Sequence, residues 1–188
     1  MQRRAFFRVF AALAMGASFT GAAIAHTPYR QWKILRQRFL LVHSSRSDPV
    51  SDEIAEAMVG VFDNVLPKAN AMVARAPDEQ RIASLMTTGQ AVLAVMRADL
   101  AADFYRSDGA FRDFEGGQLR SLVRAGDHLL VSVTSFPRHH AWLVTSALVG
   151  NGGSLEVRLP DTNAEYGGVP LHDGARAFAN GESLEAQG

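Results

Sequence analysis

The chain contains no cysteine, which excludes disulfide frameworks, zinc ribbons, iron–sulfur clusters and thiol nucleophiles, and leaves redox chemistry silent on the compartment. It also lacks an excess of either charge, with 19 basic residues against 19 acidic ones. That balance gives no electrostatic footprint for nucleic acid and does not suggest an acidic, disordered solvating chain. No H-E-x-x-H and no phosphate-binding P-loop occurs in the sequence, and no nucleophile stands with a positioned base. Ser45 and His43 stand close together in the sequence. Two apart on an extended segment, they project to the same face without forming a triad. His139-His140 is no metal pair either, because adjacent helical positions point about 100° apart, so it is assigned to a solvated helix start. The expectation is a protein that is not an enzyme and has no metal and no cofactor.

Long hydrophobic runs are missing too. The longest apolar segment, Ala11 to Ala25, is short and rich in Ala and Gly compared with the roughly 20 apolar residues of a bilayer span. It follows Arg3, Arg4 and Arg8 and ends in Ala23-Ile24-Ala25, the layout of an export signal with an A-x-A cleavage site. Residues 1–25 are therefore expected to be a signal peptide and the location periplasmic. Arg3-Arg4 before Phe6-Phe7 resembles the twin-arginine motif, with Gln2 where Ser or Thr is usual, so both the Tat and the Sec route stay open. Cleavage after Ala25 would take three basic residues and no acidic one, leaving the mature chain mildly acidic.

The 188 residues suit one domain with appendages. Residues 26–37 are expected to be a leader, 38–150 an α/β lobe, and 151–188 an irregular segment closed by a short helix. The lobe is organised around Arg38 to Val65. Phe39 to Val42 is a short apolar run of the kind a strand shows when both faces are buried. His43 to Asp48 is expected to be a polar loop, and from Ile54 onward apolar residues recur at helical spacing. Ala71 to Ala76 and Ala91 to Met96 are two further strands, separated by a helix that Pro77-Asp78 starts and Gly89 ends. After Arg97 to Asp99 comes a short helix, LAADFY. Leu119 to Val123 and Leu129 to Val133 complete the sheet, Pro137 opens another helix, and His172-Asp173-Gly174 precedes the last. Alternating strands and helices with short connections predict a three-layer sandwich on a mostly parallel sheet, the Phe39 strand lying between its two parallel neighbours.

Loops after successive parallel strands gather at the carboxyl edge, where helix N-termini favour anions. Ser44, Ser45, Arg46 and Ser47 crowd that place after the first strand, and Arg97 with Asp99 follows the third. These six are the expected ligand-binding residues, facing one another across a shared crevice. Two other roles stand beside this one: Ser47, Asp48 or Ser51 capping the helix, and Arg97 paired with Asp99, Asp103 or Asp48.

GQAVLAVMRADLAADFY (residues 89–105), the preceding QRIASLMTTG, and VPLHDGARAF (residues 169–178) carry a resemblance to the TAXI family of TRAP-transporter solute receptors. The strand-loop-helix at residues 38–65 falls where that family has its ligand loop. The resemblance implies one lobe of a periplasmic binding protein, a small anionic solute such as an amino acid or carboxylate, and a TRAP-type membrane transporter as partner. It also implies a departure. Leu130 to Val133 runs almost directly into the Pro137 helix, so the second lobe is missing and a homodimer would have to supply the other wall of the site. HSSRSDP also contains no glycine, and Arg97 stands where the family tends to carry a neutral polar residue. The other function open to such a lobe is a vestigial or protein-interaction module.

Overall fold

The computed structural model describes residues 39–158 and 168–183. The expected signal peptide and leader lie outside the described residues. The elements in order are β1 (Leu41–Ser45), α1 (Pro49–Val65), β2 (Met72–Ala76), α2 (Glu79–Thr87), β3 (Leu93–Arg97), α3 (Ala98–Arg106), β4 (Leu119–Ala125), β5 (His128–Val133), α4 (Arg138–Asn151), β6 (Val157–Arg158) and α5 (Asp173–Ala179). The strands form one six-stranded sheet in the order β2-β1-β3-β5-β4-β6.

The first half follows from the apolar runs. β1 pairs in parallel with β2, Leu41 opposite Met72, and with β3, Val42 opposite Leu93, so the strand leaving Phe39 lies between the other two. α1 buries Ala55, Met58 and Phe62 against one face of the sheet, in a core shared with Val95, Leu130 and, from α4, Val144 and Leu148. α2 and α3 bury Ile82, Met86 and Phe104 against the other face, with Met96, Leu129 and Val131. Helices on both faces make the unit a three-layer α/β sandwich.

The second half is antiparallel: β5 runs against β3 and β4, and β4 against β6. The sheet is therefore mixed, and its parallel part is confined to β2, β1 and β3. Only Gly126 and Asp127 separate β4 from β5. A connection that short closes a hairpin, whereas a parallel return needs a crossover of a dozen residues or more. Gly126 takes φ 56°, a conformation that costs glycine little and suits the two-residue turn.

The segment around Val169 to Gly174 is held by position-specific demands. Pro170 and His172 clip onto β4, Ser121 N donating to the Pro170 carbonyl (2.8 Å) and His172 N to the Ser121 carbonyl (2.9 Å). His172 then caps α5, its Nδ1 accepting from Gly174 N at 3.0 Å while Nε2 donates to the Phe136 carbonyl at 3.0 Å. A Cβ at Gly174 would stand 2.2 Å from the Arg138 carbonyl oxygen and 2.7 Å from Ala141 Cβ, so only glycine lets α5 lie against α4. The proline, histidine and glycine of VPLHDG thus have structural duties in this fold. They also bring residues 169–179 into the same domain as the lobe.

Candidate functional site

β1 continues further than its composition predicts. His43, Ser44 and Ser45 belong to the strand and are buried, which corrects the expectation of a polar loop from His43 onward. Burial is possible because each polar group finds a partner inside the chain. Ser44 Oγ donates to Asp52 Oδ1 on α1 at 2.8 Å, and Ser45 N donates to Ser51 Oγ at 3.0 Å. The Ser45 and Ser47 hydroxyls stand 2.7 Å apart, and Ser47 Oγ donates to Glu79 Oε2 on α2 at 2.9 Å. The true loop is Arg46 to Asp48, anchored by the bond from Arg46 N to the Ala76 carbonyl at the end of β2 (2.9 Å).

The N-terminus of α1 is occupied by the chain's own carboxylate. Asp48 is the N-cap, its Oδ1 accepting from Ser51 N, and Pro49 fills the first helical position, where a missing N–H costs nothing. The other carboxylate oxygen, Oδ2, stands 2.7 Å from Nε2 of His128, the first residue of β5. Both partners are largely buried, at 14% and 8% side-chain exposure. His128 is registered opposite Arg97 across β3 and β5. Asp48, His128 and Arg97 therefore share one sheet edge although 80 residues separate the first two.

Arg97 leaves β3 half exposed and pairs with Asp99, Nε to Oδ1 at 3.0 Å and Nη2 to Oδ2. The Asp99 hydrogen bond and charge raise the Arg97 guanidinium above its ordinary value, and the fields of Asp48 and Glu79 add to this. In return the Arg97 bond holds the Asp99 carboxyl below the usual carboxylate range. Asp48 follows β1, Glu79 follows β2 and Arg97 ends β3, so all three parallel strands deliver charge to the same edge, where strand carboxyl ends place loops together. Nearby, burial pushes the Asp52 carboxyl up, but Ser44 and Arg75 outweigh it and hold the group down. Arg75, opposite Ser44 on β2, bridges Asp52 at 2.9 Å and also contacts Glu56.

Of the six residues expected to bind ligand, Ser44 and Ser45 are buried and engaged with the chain itself, while Arg46, Ser47, Arg97 and Asp99 are exposed or half exposed around the edge. Arg97 is in the ion pair with Asp99 that stood beside the ligand role. The Asp48–His128 pair, Glu79 and the Arg75–Asp52 bridge were not visible in the sequence. Asp48 showed there as a capping candidate and as one of three possible partners of Arg97, and no local spacing links it to His128. Among the described residues no group of three or more His, Asp or Glu is placed to hold a metal ion, and no helix is long and apolar enough to cross a membrane. Compared with known proteins, the chain matches no family model and no curated protein.

Proposed function

We propose that the carboxyl edge of β1, β2 and β3 is the recognition face of a periplasmic, receptor-like protein of the TAXI type. On this reading it takes a small anionic solute carrying an ammonium group, an amino acid before a plain carboxylate, on behalf of a TRAP-type transporter. One observation carries the reading: guanidinium and carboxylate groups gather at a single edge, the exposed Arg46, Arg97 and Asp99 with the half-buried Glu79 beside the Ser47 hydroxyl. An arginine fork suits a solute carboxylate. Glu79 and Asp99 suit its ammonium group. An exposed ion pair such as Arg97–Asp99 is weak in water and exchanges its partner for a solute at small cost. A single lobe covers one side of such a ligand, so a second copy would complete the burial that tight binding needs.

A second reading has its own support. The hydroxyls of Ser44, Ser45, Ser47 and Ser51 are all hydrogen-bonded within the chain, and Asp48 occupies the helix N-terminus. A vestigial or protein-interaction lobe would look like this.

Isothermal calorimetry of the purified protein against amino acids, dicarboxylates and phosphate separates the two readings. Saturable heat with an amino acid, weakened roughly ten- to a hundredfold in Arg97→Ala without loss of melting temperature, supports the receptor reading. Silence toward the whole panel, or unchanged affinity with a lowered melting temperature, refutes it.

A further inference from the structure

At the opposite edge of the sheet, where β1 and β3 begin, the described residues line an open cavity of about 770 Å³, within the range of small-molecule sites. Its walls are the apolar side chains that enter and leave the core at this end. They include Leu40 ahead of β1, Leu66 after α1, Val92 ahead of β3, Phe136 after β5 and Val144 of α4. Two cationic or potentially cationic groups stand among them, Lys68 and His140, both exposed. The His140 ring lies 6.0 Å from that of Phe136. Among the described residues no carboxylate lines this cavity, so the Lys68 ammonium is not answered by an acid in its wall. An apolar interior with a positive mouth complements a molecule that is apolar along its length and negative at one end.

We propose that this cavity binds a free fatty carboxylate, with the alkyl chain among Leu40, Val92, Phe136 and Val144 and the head group between Lys68 and His140. The site is independent of the carboxyl-edge reading, lies at the other end of the strands, and stands or falls alone. Alkyl burial is a repeated gain, so chain length should grade affinity: each added methylene should tighten binding about three- to fourfold until the cavity is full. The head group should add a constant factor that an alcohol of equal length lacks.

Titration calorimetry of the purified protein with octanoate, decanoate, dodecanoate and dodecanol tests both parts. The expected result is one saturable site, the stepwise gain with length, and weaker binding of the alcohol. Lys68→Gln combined with His140→Gln should then lower dodecanoate affinity about tenfold and leave dodecanol unchanged. Both residues are exposed, so the fold should keep its circular dichroism and melting temperature. Absence of saturable binding, or an affinity indifferent to chain length, overturns the proposal. It is also overturned if dodecanoate binds only after Trp32, Ile34 and Leu35 have been replaced by serine, because the cavity would then belong to the chain's own preceding segment.

Discussion

Replacing Asp48 with alanine removes two contacts from one carboxylate: the cap on Ser51 N and the 2.7 Å bond to His128 Nε2. The bond from Ser51 Oγ to the Asp48 backbone carbonyl, at 2.7 Å, survives. Loss of an N-cap costs about 1 kcal/mol. The second loss weighs more, because His128 is buried and its ring nitrogen would be left without an acceptor, which costs about 1–3 kcal/mol. Asp48→Ala should therefore lower the unfolding free energy by about 2 to 4 kcal/mol. Asparagine keeps one oxygen and is as good a cap, but it sets an NH2 group where Oδ2 met the His128 ring nitrogen, so Asp48→Asn should keep the cap and still cost about 1–3 kcal/mol. Urea unfolding followed by circular dichroism measures both, and a double-mutant cycle with His128→Ala should return a coupling of roughly 0.5–3 kcal/mol, the range for residues in contact. A coupling near zero would show that the pair does not tie β1 to β5, and equal losses for alanine and asparagine would show that the cap adds nothing.

Other expectations concern packing and pH. Gly174→Ala should destabilise by about 1–3 kcal/mol, since its Cβ would meet the Arg138 carbonyl at 2.2 Å. Gly60→Ala, inside α1 with nothing within 4 Å, should stabilise by about 0.5–1 kcal/mol, and thermal melts that ranked the two in the other order would contradict the packing of α5 on α4. Burial lowers the His172 pKa against the pull of the Phe136 carbonyl and of Asp173, and its Nδ1 accepts from Gly174 N, so the neutral ring is the folded form. A histidine depressed in the fold contributes stability that is full above its ordinary value of about 6.5 and is lost as pH falls below it. Urea midpoints at pH 7.5 and 5.5 should therefore separate in the native chain and draw closer in His172→Asn, and an unchanged separation would remove His172 from the account.

The β1–α1–β2–α2–β3 order was legible because its signals are local. The apolar runs at residues 39–42 and 91–96 lead into strands that begin at Leu41 and Leu93, and Gly89, at φ 67°, closes a helix as a glycine after a periodic run does. The central place of β1 followed from connectivity. His43 to Ser45 misled because polarity was taken for exposure. Ser44 is buried by virtue of Asp52 and Ser45 by virtue of Ser51, and a partner six or eight residues away, across a turn of unknown path, leaves no trace in composition. The antiparallel direction of β4 and β5 was recoverable from Gly126-Asp127, a two-residue turn signal. The meeting of Asp48 with His128 was not, because it depends on where β5 enters the sheet and not on any spacing along the chain. Arg97 shows the intermediate case: its edge position was legible, whereas its choice of Asp99 is a matter of side-chain geometry.

The clip of residues 169–172 onto β4 gives the sheet two unlike borders. On that side β4 meets both β6 and the Val169–Leu171 segment, and among the described residues the outermost strand, β6, is two residues long, short for templating a foreign strand. On the other side β2 has a neighbour along one flank only among the described residues, and Met72 there is 46% exposed. Among the described residues the sheet thus has one blunt and one open border, a valence of one. A second copy joined along β2 would use up the open border of both chains, and growth would end at the pair instead of running on into a fibre.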